Sequence, residues 1–257
     1  MSATPDAHRA GFPRFLYGGY AWLTFAAGAF GATVSAMILP GLARRRRWVA
    51  FFARSFFALS RIPVRVDGLD NLPAGHCVVV ANHASYLDGV ILQGYLPPRF
   101  SYVIKSEMRR IPVAHFLLRR IGSRFVERFV AAGSARDARN LLKAADSESL
   151  AFFPEGTFVA EPGLGRFRPG AFATAIKGSS PLVPVVIRGS RGILPGGTML
   201  PRRGALRIDI LPAVEPEDAA FADHRTLARE ARRRILDVLD EPDLAPRGAA
   251  GGSGACD

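Results

Sequence analysis

Residues 77–92 read CVVVANHASYLDGVIL, and this stretch decides the fold of the chain. The run from Cys77 to Ala81 is short and apolar, as in a strand buried on both faces of a parallel sheet. Residues 89–92 begin an apolar helix. The polar cluster at 82–88 therefore lies at the carboxyl end of a strand, where open α/β sheets bind their ligands.

Within this cluster, His83 and Asp88 are five residues apart across a strand-to-helix turn, and Ser85 or Asn82 is expected to cap the helix. A carboxylate at Asp88 can fold back onto the imidazole Nδ1–H. This contact fixes the tautomer and leaves Nε2 as a free base, as in acyl-transfer enzymes. No nucleophilic serine or cysteine follows in the context of an elbow, so the base is expected to act directly on an acceptor hydroxyl. A lone histidine at a strand end is more often a structural hydrogen bonder, so the pair does not establish a catalytic site.

A second polar turn, FPEGT at 153–157, also follows a short apolar run. With this block the chain resembles the glycerolipid acyltransferase family, specifically the 1-acylglycerol-3-phosphate O-acyltransferases. The four ordered blocks of that family correspond here to NHASYLD at 82–88, GSRFVER at 122–128, FPEGT at 153–157 and VPVVI at 183–187. The resemblance covers about residues 60–210.

This resemblance implies the reaction and its partners. An acyl chain would pass from acyl-CoA or acyl-carrier protein, as co-substrate, to the hydroxyl of a lysophospholipid, with no cofactor. The first expectation for the acceptor is 1-acylglycerol-3-phosphate, which would give phosphatidic acid. A non-catalytic membrane protein that binds lipids on the same fold is the alternative from another functional class.

The resemblance also implies site residues around the His83–Asp88 pair. Those expected to bind the acyl acceptor are Asn82, Ser85, Arg128, Glu155, Gly156 and Thr157. Arg128 would hold a phosphate, which agrees with the bidentate geometry of guanidinium. Gly156 would allow close approach of the backbone, and Thr157 would offer a hydroxyl. Glu155 follows an apolar strand, where a carboxylate without a partner is costly to bury.

One position departs from the family pattern. The FPEGT block usually continues with arginine, whereas residue 158 here is Phe158. If that arginine helps to hold the glycerol phosphate, this protein replaces it or uses a different acceptor. Cations that could make the phosphate contact are Lys105, Arg166 and Arg168. The departure leaves other acceptors open, such as lysophosphatidylethanolamine or a lyso-aminolipid.

The composition narrows the functional class. The 257 residues are 49% hydrophobic and carry a net charge of +12, which suits an anionic surface such as a membrane or nucleic acid. Basic stretches beyond the amino-terminal segment lack interleaved aromatic residues, so no nucleic-acid binding is expected. No second histidine or cysteine lies at ligand spacing, so no metal is expected. Cys77 and Cys256 are poor disulfide partners, and the oligomeric state is left open.

The first sixty residues are expected to hold the protein on membrane phospholipids. No charged residue lies between Phe15 and Leu39, and ~20 apolar residues suffice to cross a bilayer. A buried core helix is the alternative. The arginines at 44–47 that follow are typical of the cytoplasmic side, and a bacterial inner membrane is expected.

A second helix, at about 45–60, is expected to be interfacial, or else an ordinary amphipathic helix packed on the domain. Its apolar face would carry Trp48, Phe52, Phe56 and Leu59, and its basic face Arg47, Arg54 and Arg61.

Strands that alternate with helices predict an α/β fold, with a mixed, mostly parallel sheet flanked by helices and an amino-terminal membrane-associated helical segment. The expected organisation is a flexible amino terminus at 1–14, a membrane-associated helical pair at 15–61, an acyltransferase domain at 62–244 and a disordered tail at 245–257. Near the end of the acyltransferase domain, we expect an edge or hairpin strand at 205–210 and a last helix at about 218–239. Another amphipathic helix is expected at 134–145.

Overall fold

The computed structural model describes residues 7–126, 148–158 and 161–245, with side chains from residue 14 onward. In this part of the chain seven strands form one sheet. The strands are β1 (Val64–Asp67), β2 (Val78–Ala81), β3 (Phe100–Lys105), β4 (Arg124–Val126), β5 (Ser149–Phe152), β6 (Leu182–Arg188) and β7 (Leu206–Ile210). The helices are α1 (Ala7–Ile38), α2 (Leu42–Leu59), α3 (Asp88–Tyr95), α4 (Pro112–Arg120), α5 (Gly170–Lys177), α6 (Ser190–Ile193) and α7 (His224–Leu236). Short 3-10 helices lie at Leu69–Asn71, Ser106–Arg110 and Ala219–Ala222.

The strand order is β1-β7-β6-β2-β5-β3-β4. The pairs β2–β6, β2–β5, β5–β3 and β3–β4 are parallel, and β6–β7 is antiparallel. The predicted mixed, mostly parallel sheet is therefore confirmed. The strands β6, β2, β5, β3 and β4 run in one direction, so their carboxyl ends share one edge, which we call the carboxyl edge. All four residues of β2 are buried, as the apolar run predicts.

Strand β7 is not an edge strand, because it lies between β1 and β6. It pairs antiparallel with β6, the strand before it in the chain, which agrees with the hairpin alternative. Of its two polar residues, Arg207 is exposed, whereas the other faces the interior. Ile208 is buried in the core, and Asp209 is also buried, where it accepts a hydrogen bond from Arg188 Nη2 at 2.7 Å. The polar positions of β7 are therefore explained by an ion pair within the sheet.

Helix boundaries also differ from the predictions. Helix α7 begins at His224 and not at residue 218, because the Asp223 carboxylate accepts the N–H groups of Arg225 and Thr226 and caps the helix there. Helix α1 begins at Ala7, within the segment 1–14 for which an irregular, flexible amino terminus is predicted. Residues 1–6, the predicted helix at 134–145 and residues 246–257 of the predicted tail lie outside the described residues.

The apolar face predicted for α2 is divided between the interior and the surface. Phe56 and the neighbouring Phe57 belong to the main core, whereas Trp48 and Leu59 are exposed. Helix α1 packs on α2 through the edge-to-face contact of Phe25 with Phe56. The two helices are thus built onto the α/β core.

Helix α1 lies along the domain. Near its start, Tyr17 Oη donates to the Ser60 carbonyl at 3.0 Å. Near its end, the Ala36 carbonyl accepts from Arg120 Nε at 2.8 Å. These two contacts are about 28 Å apart along the helix axis. Residues 14–38 of α1 are long and apolar enough to cross a membrane, but only 17% of the most apolar window is buried, so α1 is not the alternative core helix.

Candidate active site

The predicted contact between His83 and Asp88 is present. His83 Nδ1 lies 2.9 Å from Asp88 Oδ2, and the same oxygen accepts the N–H groups of Ala84 at 2.6 Å and Ser85 at 2.8 Å. Asp88 is fully buried at the start of α3. An ionised carboxylate can only accept hydrogen bonds, so Nδ1 carries the proton and Nε2 is left as a base. The His83 side chain is 18% exposed, so the ring is partly open to solvent.

Asn82 and Ser85 have structural positions. The Asn82 amide donates to the carbonyl of Ile187 at 3.0 Å and accepts the N–H of Ile187 at 2.7 Å. Ser85 Oγ donates to the Leu194 carbonyl at 2.7 Å and accepts the Leu87 N–H at 3.1 Å. Neither side chain caps α3. Because both are buried and satisfy backbone groups, their predicted place among the acceptor ligands is not supported.

The Glu155 turn follows β5 at the same edge of the sheet. The N–H of Gly156 donates to the Phe153 carbonyl at 3.0 Å, and Gly156 has a φ of 82°, which favours glycine. Thr157, the next residue, is exposed, so its hydroxyl is open to a ligand.

The buried Glu155 carboxylate has partners in the main chain. Its Oε1 accepts the N–H of His83 at 2.7 Å, and its Oε2 accepts the N–H of Gly165 at 2.7 Å. Burial raises the pKa of Glu155, and these two N–H groups oppose that shift. Glu155 therefore holds the backbone of His83 in place, whereas the resemblance had placed it among the acceptor ligands.

Aromatic rings enclose the His83 imidazole. It stacks on Phe153 with ring centroids 4.3 Å apart, and Phe158 meets it edge-on at 4.7 Å. Phe158 also contacts Tyr86 at 4.8 Å. The residue that departs from the family pattern thus lies directly against the proposed base. Sequence reasoning missed Phe153 and Tyr86 because aromatic residues beside an apolar strand are typical of a core.

The cations suggested for phosphate binding are exposed. Lys105 ends β3 at the carboxyl edge, and Arg166 and Arg168 lie in the segment that follows the Glu155 turn. The backbone N–H of Arg168 donates to the Pro154 carbonyl at 2.8 Å, which places this segment against the turn. Arg128 lies outside the described residues, two positions after β4 ends at Val126.

Two further residues support the site and were not predicted. A Cβ at Gly165 would lie 2.7 Å from Glu155 Oε2, so the close approach of this backbone requires glycine. Arg232, on α7, donates to the carbonyl groups of Gly165 at 2.6 Å and Leu164 at 2.7 Å. No local sequence signal could connect Arg232 with a loop nearly seventy residues earlier.

Several known proteins are similar to this chain in sequence or in fold. The chain is 30% identical over 205 residues to the chloroplastic 1-acyl-sn-glycerol-3-phosphate acyltransferase of Arabidopsis thaliana. The aligned region is 76% of this chain but only 55% of that protein. It is 28% identical to a lyso-ornithine lipid O-acyltransferase of Pseudomonas aeruginosa, over 84% of each chain. The fold matches the crystal structure of the 1-acyl-sn-glycerophosphate acyltransferase PlsC from Thermotoga maritima with a TM-score of 0.75 at 21% identity, covering 88% of this chain and 95% of that one.

Residues 63–188 match the family model named Acyltransferase. The match runs from the residue before β1 to the end of β6, so it includes His83, Asp88 and the Glu155 turn. Residues 63–188 therefore form an acyltransferase domain of that family.

Proposed function

We propose that this protein is an O-acyltransferase that moves an acyl chain from a thioester to the hydroxyl of a lysophospholipid. The observation that carries the proposal is the 2.9 Å contact between His83 Nδ1 and the buried Asp88 carboxylate at the carboxyl edge. The names of the relatives support the same chemistry.

In this proposal His83 Nε2 accepts the proton of the acceptor hydroxyl while the hydroxyl oxygen attacks the thioester carbonyl carbon. The new C–O bond forms and the tetrahedral intermediate then expels the thiolate, which breaks the C–S bond. The imidazolium returns its proton to the thiolate sulfur. Asp88 stabilises the imidazolium, and a base positioned in this way contributes ~10²–10⁴ in rate.

The first candidate acceptor is 1-acylglycerol-3-phosphate, which the name of the Arabidopsis relative includes. Its phosphate would meet the exposed cations Lys105, Arg166 and Arg168 together with Arg128. The product would be phosphatidic acid. Acyl-CoA and acyl-carrier protein are both donors of the required class.

A second candidate acceptor is a lyso-aminolipid. Phe158 places an apolar ring, and not a guanidinium, 4.7 Å from the His83 ring. This environment favours a hydroxyl whose neighbouring atoms are uncharged. The Pseudomonas relative named for lyso-ornithine lipid supports this alternative.

The decisive experiment is a panel of acceptors with purified full-length protein, measuring transfer from radiolabelled acyl-CoA and acyl-carrier protein. Wild type should acylate at least one lysolipid, and His83→Ala should lose that activity while it keeps the circular dichroism spectrum of wild type. Equal transfer by His83→Ala would remove His83 as the base. Binding of lysolipid by wild type without any transfer would favour the non-catalytic alternative.

We also propose that the protein lies on the cytoplasmic face of a bacterial inner membrane, with α1 in one leaflet. The contacts near both ends of α1 hold it along the protein, which supports a helix that lies in one leaflet and does not cross the bilayer. The outward side of α1 bears large apolar side chains, of which Phe15, Leu23 and Phe30 are each more than 65% exposed. A helix of this kind binds by burying its apolar side chains at the interface.

A further inference from the structure

Residues 193–202 form a compact loop, which we call the strap, between α6 and β7. The N–H of Arg202 donates to the Ile193 carbonyl at 2.9 Å and joins the two ends of the strap. Inside it, the N–H of Thr198 donates to the Pro195 carbonyl at 3.3 Å, and Gly197 has a φ of 78°. A loop whose ends are joined in this way is compact.

One side of the strap contacts the catalytic turn. Ser85 Oγ donates to the Leu194 carbonyl at 2.7 Å, and Ser85 pairs with Pro195 as an isolated antiparallel bridge. Ser85 is fully buried, and its own N–H donates to Asp88 Oδ2 at 2.8 Å. Ser85 therefore links the strap directly to the Asp88 carboxylate that orients His83.

The other side of the strap contacts α1. Trp22 Nε1 donates to the Met199 carbonyl at 2.6 Å. The Leu200 side chain packs against the backbone of α1 at Gly18, where a Cβ would lie 2.1 Å from Leu200 Cδ1. A third contact is made by Arg203, just beyond the strap, whose guanidinium lies 5.1 Å from the Tyr17 ring.

We infer that α1 positions the catalytic turn through the strap, with Gly18 and Trp22 as positioning residues. Helix α1 contacts the strap at Met199 and Leu200. The strap in turn contacts Ser85 through the Leu194 carbonyl, and the Ser85 N–H donates to Asp88. The inference rests on the proposed acyltransferase activity. A displacement of ~1 Å in a catalytic group can lower the rate by ~10². The position of α1 against the strap should therefore affect kcat as well as membrane attachment.

The test compares two adjacent glycines of the same helix. Gly18→Ala places a methyl group against Leu200, whereas a Cβ at Gly19 meets nothing within 4 Å. Both substitutions add the same methyl group and the same gain in helix propensity. In full-length protein on vesicles of phosphatidylethanolamine and phosphatidylglycerol, Gly18→Ala should lower kcat by about 10- to 100-fold, with KM and vesicle binding unchanged. Gly19→Ala should behave as wild type.

Two further variants keep the test decisive. Leu200→Ala in the Gly18→Ala background removes the clash and should restore part of the lost kcat. Trp22→Phe keeps an aromatic ring, although a smaller one, but removes the indole N–H that donates to Met199, so it should lower kcat less than Gly18→Ala does. If Gly18→Ala does not fold, Trp22→Phe decides the outcome, and a wild-type kcat in that variant overturns the inference.

Hydrogen exchange provides a measurement that does not depend on activity. Gly18→Ala should accelerate exchange at the amides of residues 84–88 and of the strap, and Gly19→Ala should not. Equal exchange and equal kcat in the two glycine variants would overturn the inference, as would faster exchange in Gly18→Ala with an unchanged kcat. A wild type that transfers to no acceptor would contradict the proposed function alone, since the exchange comparison would still test the coupling.

Discussion

At the scale of single residues, one oxygen atom determines the shape of the catalytic turn. Asp88 Oδ2 accepts from His83 Nδ1 and from the backbone N–H groups of Ala84 and Ser85. Glu155 holds the same turn from the other side through the N–H of His83. Both carboxylates fix the main chain, and Asp88 also fixes the imidazole.

Asp88→Asn should therefore be almost as damaging as His83→Ala. An amide NH2 in the place of Oδ2 cannot accept from any of the three donors, so the imidazole would adopt the wrong tautomer. An amide oxygen in that place can accept, but it is neutral and stabilises the imidazolium less. We expect kcat to fall by ~10²–10⁴. Steady-state kinetics on detergent-solubilised protein would measure this, and turnover within twofold of wild type would contradict it.

Phe158→Arg tests the headgroup preference. The substitution replaces an apolar ring 4.7 Å from the His83 ring by a cation that binds phosphate. If the natural acceptor lacks a phosphate beside its hydroxyl, kcat/KM for 1-acylglycerol-3-phosphate should rise about tenfold or more relative to kcat/KM for a lyso-aminolipid. A tenfold change in this ratio is a change of ~1.4 kcal/mol in the difference between the two activation free energies.

Phe158→Leu is the matched control for that experiment, because it keeps the site apolar and uncharged. Its acceptor ratio should stay close to that of wild type. An acceptor profile that is the same in wild type, Phe158→Arg and Phe158→Leu would show that the headgroup does not contact residue 158.

At the scale of elements, the four arginines at the start of α2 are not equivalent. Arg46 is buried and donates to the carbonyl groups of Ile121 at 2.8 Å and Arg99 at 3.0 Å. It also bonds to Ser101 Oγ and lies 3.8 Å from the Glu148 carboxylate. Arg46 thus fastens α2 to the sheet, whereas the sequence pattern had suggested only a charged flank beside the membrane.

Arg46→Ala should accordingly destabilise the protein by ~3 kcal/mol or more, because it leaves the carbonyl groups of Ile121 and Arg99 without their donor, at ~1–3 kcal/mol for each buried group. Glu148 keeps its ion pair with Arg124. Arg47→Ala is the control. Arg47 is exposed, and its substitution should change the free energy of unfolding by no more than ~0.5 kcal/mol. Urea unfolding in mild detergent would measure both, and similar values for the two variants would contradict the anchoring role of Arg46.

At the scale of the whole molecule, attachment to the membrane and packing of the core share the same two helices. Removing residues 1–61 deletes Phe25, Phe56 and Phe57 from the core, so the truncated protein should aggregate and not simply become soluble. Substituting the exposed Phe15, Leu23 and Phe30 by glutamine should keep the fold and shift the protein to the soluble fraction.

Salt distinguishes the two sources of membrane affinity. Washing membranes with about 1 M salt should not release the wild-type protein, because burial of apolar side chains is not screened as surface charge is. Fractionation and immunoblotting would measure the retained protein. Quantitative release by salt would show that charge alone holds it on the membrane.

The sequence by itself determined the features that depend on local order. The apolar run of β2 and the five-residue spacing of His83 and Asp88 were sufficient to predict a buried parallel strand and a carboxylate that reaches the imidazole. Both follow from the geometry of one strand, one turn and one helix.

Only the tertiary structure decided which groups meet across the chain. It placed β7 inside the sheet, buried Arg46, gave Asn82 and Ser85 partners at Ile187 and Leu194, and joined α1 to the catalytic turn through the strap. These contacts join residues separated by tens to more than a hundred positions. Their partners are set by the packing of whole elements and by the need to satisfy each buried polar group, and no local pattern of residue types records that need.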